Sequence, residues 1–202
     1  MATLVCVDAA AADAYLVRID AHRPACLDAD ALRALQRRHL QAVPNSLVGS
    51  GSLAEPVLFD KIVRRGGGGC GHERNGLFAL LLTALGFEVD LLAARVPEED
   101  GFGPPFEHLA LRVAAPESPW PWLVDVGFGG FSERPLRLDN RRDQCVPGGT
   151  FRLVDADHGD LVVLREVEPL YCLERRARAL PDFEPACWWH RTRRSHLVAE
   201  VA

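Results

Sequence analysis

Residues 64–96 read "RRGGGGCGHERNGLFALLLTALGFEVDLLAARV", and the two halves of the fold meet inside them. From Gly71 to Leu85 the apolar positions Leu77, Phe78, Leu81, Leu82 and Leu85 recur at helical spacing, and Gly86 stands where a helix C-terminus favours glycine. Beyond Gly86 the apolar period falls from about 3.6 to about 2, so "FEVDLLAARV" reads as a strand. The stretch predicts a boundary near residue 86 between a helical part and a sheet. Gly66 to Gly69 lead directly into Cys70 at the predicted helix start. A cysteine that only fills a core has no use for such a run, whereas glycines let another backbone or a ligand come close.

Upstream, Asp8 can cap a helix carrying Tyr15, Leu16 and Ile19. Asp30 can open another with Leu32, Leu35, Leu40 and Val43 on one face before Pro44 stops it. "NSLVGSGSLAEP" is loop-like, and Leu58 and Ile62 mark a short helix ahead of the glycines. Downstream, "PEEDGFGPPF" is a loop. In "EHLALRV", Leu109, Leu111 and Val113 alternate with His108, Ala110 and Arg112. In "WLVDVGF", Trp122, Val124 and Val126 alternate with Leu123 and Asp125, and "TFRLVDADHGDLVVLRE" is a hairpin with Asp157–Asp160 at its tip. The expected class is α+β: an N-terminal helical bundle, 1–86, carrying Cys70, then an antiparallel sheet or barrel, 87–202, carrying His108 and Asp125.

A hydrophobic content of 48%, a charged content of 25% and a net charge of -5 describe an ordinary soluble chain. They give no reason to expect nucleic acid or an anionic membrane as a partner. The N-terminal "MATLVCVDAAAADAYLVRID" lacks a basic n-region and is broken by aspartates, so it reads as neither a signal peptide nor a spanning helix. The six cysteines, at 6, 26, 70, 145, 172 and 187, show no CxxC pair, which fits a reduced cytoplasm better than a disulfide framework.

At a helix N-terminus, unpaired amides and the helix dipole favour a thiolate and can bring a cysteine pKa from about 8.5 to between ~3.5 and ~7.5. A thiolate nucleophile needs a base, and the base needs an orienter. His108 and Asp125, on two predicted strands, could sit side by side if those strands are neighbours. Taken singly, each residue keeps a plain alternative. Cys70 could be a packed helix-start cysteine, His108 a structural strand histidine and Asp125 a strand-end cap.

Together, "RRGGGGCGHERNGLFALLLTALGFEVDLLAARV", "FEHLALRV" and "WLVDVGFGG" resemble the arylamine N-acetyltransferase family. That family typically has an Arg-Gly-Gly-x-Cys-x-Glu-x-Asn-Gly-Leu-Phe segment, a strand with a catalytic His, and an Asp-Val-Gly-Phe-Gly segment. Weaker echoes are "YLVRI", "HLQAVPNSL" and "CWWHRTRRSHL". The resemblance implies a cysteine-protease-like core and a ping-pong acyltransferase without metal or permanently bound cofactor, using acetyl-CoA or another acyl-CoA as co-substrate. Cys70 would carry the acyl group to a small-molecule amine. His108 would hold the thiolate as an ion pair, and Asp125 would orient His108. Gly127, Phe128, Gly129 and Gly130 would line the donor's approach, a loop that would otherwise read as a plain tight turn.

The chain departs from the family pattern in three places. From Arg65 to Asn75 it has two more residues, so an ungapped alignment from Asn75 puts Gly71 at the nucleophile's place and Cys70 one step before it. Cys70 is preferred because glycine cannot carry an acyl group. Asn45 and Ser46 stand where the family has Phe-Glu. The chain stops at Ala202, where relatives continue through a third, lid-forming domain. A homodimer burying "CWWHRTRRSHLVAEVA" would be one way to cover the site.

Other constellations carry less. His72 lies two residues from Cys70, but successive side chains at a helix start point in different directions. Cys172, Cys187, His190 and His196 lack zinc-ligand spacing. The glycines lack the Lys-Ser/Thr of a nucleotide-binding loop. The rival readings are an amide synthase taking a carrier-bound acyl chain, a transglutaminase-like thiol hydrolase, and an inactive remnant that binds a ligand or partner.

Overall fold

The computed structural model describes residues 7–46 and 49–189. Two aspartates start the first helices. Asp8 accepts the Ala11 N–H at the head of α1 (Ala9–Arg18), and Asp28 accepts the Ala31 N–H at the head of α2 (Ala29–Ala42), each at 2.8 Å. The second cap is Asp28 because Asp30 already lies in the first helical turn. Leu32 and Leu35 face the core, and the buried His39 of α2 shares a 2.9 Å hydrogen bond with the Tyr15 hydroxyl of α1. The short helix expected around Leu58 is α3 (Glu55–Leu58), which runs on into a π-helical turn, Phe59–Arg64.

The helix α4 (Gly71–Leu85) is buried without interruption from His72 to Leu82. A helix enclosed on all sides belongs at the centre of a fold, and charged residues there need partners within the protein. Gly86 closes it at φ 105°, in the left-handed region that glycine adopts without cost.

The chain then enters the sheet. Its strands are β1 (Glu88–Arg95), β4 (His108–Ala114), β5 (Pro121–Val124), β6 (Leu136–Arg137), β7 (Gln144–Val146), β8 (Gly149–Asp155), β9 (Leu161–Arg165) and β10 (Glu168–Arg178), while β2 (Pro97–Glu98) and β3 (Gly101–Phe102) form a separate ribbon. All pairings are antiparallel, in the order β6-β5-β4-β1-β10-β9-β8-β7. The Gln144 side chain bridges the two edge strands: it accepts the Arg137 N–H at 2.8 Å and donates to the Arg137 carbonyl at 3.0 Å. The sheet is therefore nearly closed, with a side-chain amide at its seam.

Both faces of the central strands are buried. Leu109, Leu111 and Val113 pack with Leu77, Phe78 and Leu81 in a core shared with the helices. Leu92, Ala110, Leu123, Phe151 and Val163 fill the interior of the curved sheet. The alternation in β4 thus separates two cores, not a core from solvent. After β10 the chain makes a 3-10 turn, Leu180–Phe183, and a helical stretch, 184–189. Phe183 and Cys187 are buried in the core shared with the helices, so this segment returns to the start of α4. Residues 190–202, which make up most of the expected dimer face, lie outside the described residues.

Candidate active site

A cleft of about 310 Å³ opens where α4, β4 and the loop after β5 converge, lined by residues that include Cys70, Gly71, His72, His108, Gly127, Phe128 and Cys187. Cys70 is the residue that begins α4, with extended backbone (φ -72°, ψ 172°). Its N–H donates to the Glu73 carboxylate at 2.9 Å. Glu73 is fully buried, and burial alone would raise its pKa. The Lys61 ammonium at 2.6 Å and hydrogen bonds from Ser50 outweigh that and hold the carboxyl below its usual range.

The antiparallel pairing of β4 with β5 brings His108 and Asp125 together at one end of the two strands. His108 Nε2 lies 2.7 Å from Asp125 Oδ2, with the carboxylate fully enclosed. Because a carboxylate only accepts, Nε2 carries the hydrogen and Nδ1 is the ring's acceptor. Asp125 also accepts from Asn75 Nδ2 at 2.7 Å and from the Gly127 and Phe128 N–H groups at 2.8 and 3.0 Å. Burial pushes its pKa up, but the charge and hydrogen bond of His108, with Asn75 and Gly127, overcome this and leave Asp125 below the ordinary carboxylate range. Phe128 packs edge-on to the imidazole at 5.0 Å between ring centroids, with Tyr171 at 5.2 Å.

Asn75 ties these parts to α4. It donates to the Leu109 carbonyl at 2.6 Å and to Asp125, and accepts the Val126 N–H at 2.8 Å. The sequence showed Asn75 only as part of a motif; its position a turn after Cys70, facing β4 and β5, is what gives it this role.

The four loop residues separate. Gly127, Phe128 and Gly129 line the cleft, and Gly130 does not. A Cβ on Gly127 would fall 2.5 Å from the Gly71 carbonyl oxygen and 2.6 Å from Asn75 Nδ2, so only glycine lets the loop lie against the start of α4.

Cys70 reaches the cleft but does not pair with His108. Its thiol pKa is lowered to about 5, first by a hydrogen bond with Cys187, against burial, and then by a hydrogen bond with His72. The residue set toward His108 is Gly71, where a Cβ would stand 3.7 Å from His108 Nδ1. The extra residue before Asn75 accounts for this, because it shifts the cysteine one position back along the helix start. Cys187 and His72 are thus the groups that lower the Cys70 pKa, while Gly71 is the position that stands opposite His108 Nδ1. Cys187 was not evident in the sequence, and His72, set aside there as pointing away from Cys70, borders the same cleft. Cys187 arrives from far along the chain, and His72 points into the cleft because α4 begins at Gly71.

Cys26, Cys70, Cys145, Cys172 and Cys187 are all free thiols. Among the described residues no cluster of His, Cys, Asp and Glu is suited to a metal ion, and no helix is long and apolar enough to cross a membrane. His190 and His196 lie outside the described residues.

A family model described as N-acetyltransferase matches residues 28–201. The chain is 34% identical over 200 residues to an arylamine N-acetyltransferase of Mycolicibacterium smegmatis, an alignment taking in 91% of this chain and 72% of that protein. The solved structure of the M. smegmatis arylamine N-acetyl transferase superposes with a TM-score of 0.80 at 32% identity, over 87% of this chain and 69% of that one. Mycobacterium marinum arylamine N-acetyltransferase, solved in complex with CoA, superposes with a TM-score of 0.78 at 32% identity, over 88% of this chain and 70% of that one.

Proposed function

This chain belongs to the arylamine N-acetyltransferase family, and we propose that it moves an acetyl group from acetyl-CoA to an arylamine by way of a thioester on Cys70. The observation that carries the reading is the meeting of a cysteine with a low pKa and a carboxylate-held imidazole at one cleft. A thiolate attacks the thioester carbonyl of acetyl-CoA, the bond from carbon to the CoA sulfur breaks, and the acetyl group rests on Cys70. The amine then attacks that carbonyl and displaces the cysteine. His108 Nδ1, the ring acceptor once Nε2 donates to Asp125, takes the proton the amine gives up. Gly127, Phe128 and Gly129 form the wall along which the pantetheine arm would enter. Support for CoA as donor comes from the family and from the CoA complex of the M. marinum relative.

Initial rates with acetyl-CoA and an arylamine such as aniline test the proposal. Double-reciprocal plots at several amine concentrations are expected to be parallel, as a covalent acetyl-enzyme requires. Intersecting lines, or no acetanilide formed, would remove the ping-pong reading.

A further inference from the structure

The residue set opposite His108 carries no side chain, and that decides what the imidazole can act on. His108 Nε2 donates to Asp125, so Nδ1 is the nitrogen that accepts. A Cβ on Gly71 would stand 3.7 Å from that Nδ1 and 3.2 Å from the Gly127 carbonyl oxygen. The Cys70 sulfur lies beside Gly49 instead, where a Cβ would be 3.3 Å from it. The sulfur and the imidazole base therefore face different neighbours.

Two acceptors that converge on one place suit a water molecule. With one hydrogen directed at Nδ1 and the other at the Gly127 carbonyl, the water oxygen keeps its lone pairs for a third group in the cleft. Gly71, His108 and Gly127 all line that cleft. One carboxylate fixes both acceptors. Asp125 Oδ2 takes the His108 hydrogen, and Oδ1 takes the Gly127 and Phe128 N–H groups at 2.8 and 3.0 Å. Asn75 donates to the same Oδ1 at 2.7 Å. Phe128 and Tyr171 pack on the imidazole at 5.0 and 5.2 Å between ring centroids, which keeps the ring from turning. An imidazole oriented by a buried carboxylate, with a second acceptor beside it, has the arrangement of a general base for water.

We propose that the cleft is also a thioester hydrolase, in which His108 Nδ1 and the Gly127 carbonyl hold a water at the place a Gly71 side chain would take and aim it at the thioester carbonyl of acetyl-CoA. This rests on the cleft taking acetyl-CoA as donor, and not on Cys70 carrying the acetyl group. The water oxygen bonds to the acetyl carbon while one of its hydrogens passes to His108 Nδ1. The bond from carbon to the CoA sulfur then breaks, and the departing thiolate takes that proton from His108. The second hydrogen stays on the new carboxyl group and is lost to solvent as acetic acid ionises at neutral pH. Water and amine use one base in turn, because glycine leaves either of them room beside Nδ1.

The test is the release of acetate and CoA from acetyl-CoA without any amine, followed by chromatography at neutral pH. The wild type should form acetate steadily over many turnovers. Cys70→Ala cannot hold a thioester, and should still form acetate while acetanilide from added aniline is lost. His108→Gln removes the base and should lower acetate release by roughly 10²-fold or more. Gly71→Ala places a methyl group where the water would stand and should lower it by about as much. Gly71 is helical and the Gly127 carbonyl need give only a few tenths of an ångström, so this variant decides the matter if His108→Gln fails to fold. Acetate release that vanishes in Cys70→Ala, or that either other variant leaves at the wild-type rate, would overturn the proposal, as would a wild type that forms no acetate. Acetate without acetanilide would count against the transfer reading alone, and acetanilide without acetate against hydrolysis alone.

Discussion

At the scale of single residues, the chemistry depends on which atoms hold each proton. Asp125 takes four hydrogen bonds while enclosed, so it stays ionised and keeps the His108 hydrogen on Nε2. Asp125→Asn replaces that acceptor with an amide that can present a donor, which reverses the tautomer. Acetyl transfer at neutral pH should fall by roughly 10²–10⁴-fold. Turnover within a few-fold of wild type would remove Asp125 from the mechanism. The low Cys70 pKa has different origins from those a bare helix start suggests. The N-terminal position contributes the Glu73 N–H, but Cys187 and His72 do more, and neither lies in a pattern that marks it as a partner of Cys70.

At the scale of elements, Asn75 holds α4 to β4 and β5 through three backbone or side-chain partners. Asn75→Ala would leave the Leu109 carbonyl and the Val126 N–H buried without them, at about 1–3 kcal/mol for each orphaned group. A fall in unfolding free energy of that order by urea titration is expected, together with lost transfer activity, and wild-type stability would contradict it. The elements themselves were largely legible. The helical spacing from Leu77 to Leu85, the change of period at Gly86 and the hairpin around Asp157–Asp160 all correspond to elements of the fold. Local physics sets those features, and a sequence displays local physics directly. The sequence concealed the consequences of packing. The alternation in "EHLALRV" marks two faces without showing that both are buried, because a strand between two cores has the same period as a strand at a surface. The place of Gly71 opposite His108 depends on one residue of helix phase, which spacing alone left as two alignments.

At the scale of the whole molecule, the helices and the sheet share one core. Phe78 and Leu81 of α4 meet Leu109 and Leu111 of β4 there, while Phe183 and Cys187 join from the far end of the described chain. We propose that 1–86 and 87–202 are layers of one cooperative unit that divide the catalytic residues between them. Glu73 and Asp125, one from each layer, both have carboxyl pKa values below the ordinary range. A depressed folded pKa contributes stability that is complete above the unfolded value, about 4, and is lost as pH falls through the folded value. Stability should therefore drop below about pH 4 in a single transition seen alike by tryptophan fluorescence and far-UV circular dichroism. Two separated transitions would mean independent units. The central claim, that Cys70 carries the acetyl group, is tested most directly by mixing the protein with acetyl-CoA, stopping in acid and locating the added acetyl by peptide mass spectrometry. The account predicts one acetyl group, on the peptide containing Cys70, that disappears when an arylamine is added before the acid. An acetyl group on any other residue, or one on Cys70 that the amine leaves in place, would contradict it.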